Sequence, residues 1–167
     1  MHSIVRQCIA GVALALSVGA AWAETRALPE LDLAHAGGAV VARGELSMNQ
    51  TWVMVVVDAS LELSSRSLTL LEQKDRSWEN ALTIVVIGNQ AALVALQKKH
   101  EKLAGARWMR STAPDLAEKL ALTGTPTFLG IDENEQIAWQ RPATPEKAAR
   151  LQFMLNGWLT PQARPSL

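Results

Sequence analysis

One cysteine, Cys8, is all the thiol chemistry that this chain of 167 residues contains. It stands near the amino terminus, ahead of an apolar stretch and close to Arg6. A lipid-modified cysteine would follow such a stretch, so lipidation is not expected. Neither sign of charge is in surplus: 16 lysines and arginines balance 16 aspartates and glutamates. There is no basic excess to attract nucleic acid and no acidic run to mark a disordered tail. Histidine is scarce as well. His35 and His100 stand far apart in the sequence, with no cysteine or close carboxylate–histidine motif to complete a metal site. They read as surface or partly buried histidines, and neither a metal nor another cofactor is expected. Also lacking is an apolar run of about 20 residues, the length a membrane span needs.

What the amino terminus does contain is a secretory pattern. Arg6 gives a positive start, Ile9 to Ala21 forms an apolar stretch of about 13 residues, and Ala21-Trp22-Ala23 is a small-x-small cleavage site before Glu24. Residues 1–23 are therefore expected to be a signal peptide, with an uncleaved anchor as the alternative. Cleavage removes Cys8, and the mature chain then forms no disulfide and no thiolate. Its expected location is the periplasm, an oxidising compartment that permits disulfides, so their absence is informative. No stable membrane span is expected after cleavage.

The remaining chain alternates between two hydrophobic periods. Leu31-Asp32-Leu33 and Ala39-Val40-Val41 flank Gly37-Gly38 and suggest a short hairpin. Trp52 to Val57 is a continuous, largely β-branched run, as in a strand buried on both faces. Leu61, Leu68, Leu71 and Trp78 fall on one helical stripe. Leu82 to Ile87 reads as a second buried strand, closed by Gly88-Asn89, and 90–103 as a helix carrying Leu93, Leu96, His100 and Leu103. Arg107 to Arg110 reads as a third strand, and Pro114 opens a helix through 121, with Ser111 or Thr112 near its cap. Thr127 to Ile131 and Gln136 to Gln140 form a hairpin around Asp132-Glu133-Asn134-Glu135. A last helix starts at Thr144-Pro145-Glu146 and presents Ala148, Leu151, Leu155 and Trp158 on one face. The expected architecture is a single α/β domain over residues 24–159, followed by a polar tail at 160–167. Its central sheet is expected to be mostly parallel, with an antiparallel carboxyl-terminal hairpin and helices on both faces.

Three stretches resemble the thioredoxin-like superfamily, and within it the exported TlpA-type branch. Leu28-Pro29-Glu30-Leu31-Asp32-Leu33 is similar to that branch's amino-terminal P-x-F-x-L segment. Leu122 to Asp132, with Gly124-Thr125-Pro126-Thr127 at its centre, is similar to the family's V-x-G-x-P-T-x-x-x-x-D stretch. Gln136 to Trp139 falls where the family runs its next strand. The resemblance spans roughly residues 28–159. It implies a thioredoxin-like fold and a cis Thr125–Pro126 bond, which a prolyl peptide permits; a trans proline opening an edge strand is the other reading. The family's Cys-x-x-Cys would sit after the first central strand. There this chain reads Asp58-Ala59-Ser60-Leu61-Glu62-Leu63-Ser64, with Leu61 and Ser64 at the cysteine positions, or Ser60 and Leu63 if the register slips by one. No register supplies a thiolate, so the resemblance carries the fold without the redox chemistry.

Other residues leave two readings each. Ser60, Ser64, Ser65 and Ser67 could offer a nucleophile or an anion-binding helix terminus; without a Gly-x-Ser-x-Gly elbow they read as caps and a solvated helix face. Asp58 could be a buried acid, but a turn aspartate is simpler. Trp52, Trp78, Trp108, Trp139 and Trp158 read mainly as core anchors, although tryptophan is also enriched at binding hot spots. The expected function is a redox-inactive module that binds exported or periplasmic proteins, with no nucleic-acid partner. Its groove is expected at Ser60, Leu61, Ser64, Thr125 and Pro126. Ser60-Leu61 followed by Ser64-Ser65 also faintly resembles the S-M-P-x-S segment of conjugative pilus-assembly proteins of the TrbC type. The competing reading is a thiol-disulfide oxidoreductase or peroxidase of the thioredoxin class.

Overall fold

The computed structural model describes residues 25–46, 48–73, 78–142 and 146–159. The expected signal peptide with Cys8, the Thr144-Pro145 helix start and the tail at 160–167 lie outside the described residues. Among the described residues seven strands form one sheet: β1 (Arg26–Ala27), β2 (Leu33–His35), β3 (Trp52–Asp58), β4 (Leu82–Ile87), β5 (Arg107–Ser111), β6 (Thr127–Ile131) and β7 (Gln136–Pro142). Their spatial order is β1-β7-β6-β3-β4-β5-β2. The most apolar runs of the sequence, β3 and β4, take central places, where both faces are covered. All of Trp52 to Val57 and Leu82 to Val86 is buried.

Among the described residues four α-helices complete the fold: α1 (Glu62–Glu72), α2 (Gln90–Lys99), α3 (Leu116–Lys119) and α4 (Ala148–Leu159). Alternate residues of β3 serve opposite cores, as the period of a strand requires. Val53, Val55 and Val57 pack with Leu68 and Leu71 of α1, Leu93 and Leu96 of α2, and Leu151 and Leu155 of α4. Met54 and Val56 face the other way, toward Leu116 and Leu120 and toward Leu33, Val41 and Leu46 of the amino-terminal hairpin region. Three helices thus cover one face, while the other is closed by a single helical turn and by irregular chain.

The sheet is mixed, which corrects the expectation that it is mostly parallel. Only β3–β4 and β4–β5 run parallel, each pair joined through a helix. The pairs β1–β7, β7–β6, β6–β3 and β5–β2 are antiparallel. The cause lies in the link between β5 and β6. It crosses from one flank of the sheet to the other at the end where β5 finishes. Its helix, α3, is one turn long and does not carry the chain back along the strands, so β6 starts where β5 stopped and runs in reverse.

Several element boundaries also differ from the sequence reading. Leu61 does not join the buried stripe of α1; it is the extended residue that precedes the helix and is 43% exposed. Ser64 and Ser67 take the buried places beside Leu68 and Leu71. Trp78 is buried but lies beyond the end of the helix. The helix expected over 90–103 breaks at His100 and resumes as a 3-10 turn over Glu101–Leu103. The helix expected from Pro114 shortens to the single turn of α3. The hairpin around Gly37-Gly38 is present with its first arm shifted to Leu33–His35, bridged from Ala34 to Val40, and Gly38 supplies the left-handed conformation (φ +88°) of its turn.

Candidate functional site

The end of β3 and the start of α1 are tied together by short polar contacts. Asp58 accepts two hydrogen bonds at Oδ1, from the Ser60 amide at 2.8 Å and from the Ser60 hydroxyl at 2.6 Å. This is the turn-aspartate geometry, and it fixes the tight bend through Ala59 and Ser60. The Leu61 amide donates to the Asp58 carbonyl at 3.1 Å. From inside the helix the Ser64 hydroxyl accepts the Asp58 amide at 3.0 Å. Ser64 is wholly buried, so it holds the site together from below, while Ser60 and Leu61 stand at the surface. Leu63 is also exposed, at 42%. The helix therefore begins with two apolar side chains facing solvent.

Thr125 and Pro126 arrive at the same end of the sheet. The last β3–β6 pair is Val56↔Thr127, so the preceding Pro126 lies level with the final residues of β3. The Thr125–Pro126 peptide is cis. Pro126 is buried and Thr125 half-buried. On the opposite flank of β6 the ladder also stops, at Thr127↔Pro142, so Thr125 lies beyond the strand pairing on either side.

An open hollow of about 480 Å³ lies between the α1 start and α2. Ser60 and Leu61 line it together with Ser65, Thr69, Leu96 and Lys99. Neither Thr125 nor Pro126 does. At its wall stands a group that sequence reading did not assemble. The Ser65 hydroxyl is 3.3 Å from His100 Nε2, Lys99 Nζ donates to Ser65 Oγ at 2.7 Å, and His100 Nδ1 is 3.4 Å from Glu72 Oε2. His100 is 1% exposed. Ser65 and Glu72 are seven positions apart and so share a helix face, but His100 comes from the end of α2, and nothing in the local sequence points from one to the other.

The remaining candidates are structural. His35 is half-exposed at Nε2 and pairs with Glu45 Oε2 at 2.9 Å. Among the described residues no group of three or more histidine, cysteine, aspartate or glutamate side chains could hold a metal. Trp52, Trp78 and Trp108 are buried, whereas Trp139 and Trp158 are half-buried and meet edge to face, with ring centres 5.9 Å apart.

The fold these elements build is thioredoxin-like. A thiol:disulfide interchange protein of the thioredoxin family from Chlorobium tepidum superposes with a TM-score of 0.62 at 14% identity, over 82% of this chain and 98% of that one. A hypothetical protein from Sinorhizobium meliloti gives a TM-score of 0.64 at 14% identity, over 86% and 87% of the two chains. A secreted disulfide oxidoreductase from Mycobacterium tuberculosis gives 0.56 at 13% identity, over 75% and 94%. At these identities the similarity concerns the fold. No family model matches the chain, and neither does any curated protein. Among the described residues no helix is long and apolar enough to cross a membrane.

Proposed function

We propose that this chain is an exported, redox-inactive thioredoxin-fold protein that captures an extended segment of another periplasmic protein. The observation that carries the reading is Leu61. It stands at the start of α1, at a position the superfamily resemblance gives to a cysteine, and it is exposed beside exposed Leu63. A leucine there replaces a thiol with an apolar surface. Thr125, outside the strand ladders, offers backbone to which an extended chain could add as a strand, with Leu61 receiving one of its side chains. Residues 24–167 contain no cysteine, so they offer no thiolate for a mixed disulfide. The finer reading, assembly of a conjugative pilus, draws its support from the short Ser60-Leu61, Ser64-Ser65 resemblance.

The test compares two surface variants of the mature chain as bait in periplasmic extract. Leu61→Arg places a charge on the groove and is expected to weaken capture about tenfold or more, the effect of losing about 1.4 kcal/mol of binding. Lys147→Glu, an exposed change outside the proposed groove, is expected to leave capture unchanged. Equal recovery of the same partners by Leu61→Arg and the unaltered chain overturns the groove. The mature protein is also expected to leave the rate of insulin reduction by dithiothreitol at background, and clear catalysis in that assay overturns redox inactivity.

A further inference from the structure

The polar group between α1 and α2 joins Ser65, Lys99, His100 and Glu72 through contacts of 2.7 to 3.4 Å. A lysine ammonium can only donate. The bond from Lys99 Nζ at 2.7 Å therefore makes Ser65 Oγ an acceptor on that side. The Ser65 hydroxyl keeps its one hydrogen and a second lone pair, so its contact with His100 Nε2, 3.3 Å away, can run in either direction. The Glu72 carboxylate, whose Oε2 is 3.4 Å from Nδ1, favours the ring proton of a neutral imidazole on that nitrogen, which leaves Nε2 to accept from Ser65. Nδ1 finds no partner in hydrogen-bond geometry and is buried, so a small movement of the Glu72 carboxylate toward it would satisfy both groups. Serine to Nε2, with Nδ1–H toward a carboxylate, is the tautomer and order in which a histidine can take a proton from a serine hydroxyl. Bonds of this kind are commonly loose before substrate arrives.

We propose that Ser65, His100 and Glu72 form a nucleophile, base and positioning carboxylate that hydrolyse small carboxylic esters in the hollow between α1 and α2. The inference goes beyond the capture of a protein segment and does not rest on it. Ser65 is half-buried and lines the hollow, whereas His100 behind it is sealed from water. Leu61 and Leu96 offer the hollow an apolar wall for a short acyl chain. In the first half of the reaction Ser65 Oγ bonds to the carbonyl carbon and its proton passes to His100 Nε2. The carbon–oxygen bond to the alcohol then breaks, and the alcohol leaves with that proton. In the second half a water molecule gives a proton to Nε2 and its oxygen to the acyl carbon. The acid departs, and the proton returns to Ser65. Lys99 brings a positive charge to the oxygen that attacks.

The experiment uses the mature chain, a fluorophosphonate probe read by peptide mass spectrometry, and p-nitrophenyl butyrate as substrate. The expected result is one phosphonyl adduct, on Ser65, and saturable ester hydrolysis. Ser65→Ala is expected to abolish the adduct and to lower kcat about 100-fold or more, the scale of losing a serine–histidine pair. Glu72→Gln is expected to lower kcat with KM unchanged and to shift the acid limb of the pH profile. Both positions are half-buried, and thermal melting verifies that each variant is folded. No adduct on Ser65 in the folded protein, or a hydrolysis rate that Ser65→Ala leaves unchanged, overturns the site. Wild-type kcat and pH profile in folded Glu72→Gln overturns the relay.

Discussion

Serines clustered at the start of α1 do quite different work. Ser60 is exposed and closes a turn around Asp58, Ser64 is sealed in and accepts the Asp58 amide, and Ser65 stands at an open hollow against His100 and Lys99. The difference follows from helical geometry. Positions 64, 67, 68 and 71 have the i, i+3, i+4, i+7 spacing of one face, and that face is the one α1 buries. The sequence reading gave all four serines to caps and a solvated helix face, and it is the packing of α1 that buries Ser64 and Ser67. Replacing Ser64 with alanine leaves the Asp58 amide without its acceptor in a part-buried place. Ser64→Ala is expected to cost about 1–2 kcal/mol in urea unfolding. Ser60→Ala is expected to cost less than half of that, because Asp58 Oδ1 keeps the Ser60 amide.

The hairpin of β6 and β7 shows how one element sets the residue allowed in another. Gly130 lies opposite Trp139, and a Cβ built on Gly130 would overlap the Trp139 indole. The indole fills the space where that side chain would stand and meets Trp158 of α4 edge to face. Trp158 in turn donates from Nε1 to the Trp52 carbonyl at 3.1 Å, which fastens α4 to the start of β3. Gly130→Ala is therefore expected to destabilise the fold by about 1–3 kcal/mol, the range for overpacking a filled core. In a Trp139→Leu background the same change is expected to cost clearly less, and a double-mutant cycle from denaturant unfolding measures that coupling. The sequence placed both strands and the turn between them. It held no sign that the glycine and the tryptophan shared one space, because strand pairing creates that proximity.

Across the whole molecule charge is balanced, and its clearest organised cluster ties distant parts of the chain. Lys119 of α3 meets Asp32, just before β2, at 2.8 Å and Asp115 at 3.3 Å. Hydrogen bonds to Asp32 and then to Asp115 raise the Lys119 pKa above the ordinary lysine value. A raised pKa in the folded state means stabilisation that is fully present below the unfolded lysine pKa and is lost as pH climbs through the folded one. Lys119→Met is thus expected to lower Tm slightly near neutrality. Its gap to the unaltered chain is expected to close as pH rises past the lysine range, and also to shrink in high salt, because the pair lies at the surface. Arg107 is a contrasting case. Burial lowers its pKa, and the guanidinium is held over the Trp52 ring at 5.4 Å while it donates to the Glu45 and Leu46 carbonyls at 2.6 and 3.1 Å. That set of bonds fixes the irregular chain before β3 against β5, work that a lysine with one point charge would not do.

The sequence by itself determined the central strands, the helices α1, α2 and α4, the lack of a thiol beyond residue 8, and the alternating order of strands and helices. Each of these is written in local composition or in hydrophobic period, which a single chain displays without reference to its neighbours. The tertiary structure alone decided the direction of β6, because that depends on where a long link crosses the sheet. It decided which serine is buried and which is open. It also decided that His100, isolated in the sequence, stands between Ser65 and Glu72, since packing α1 beside the end of α2 brings together residues that are 35 positions apart.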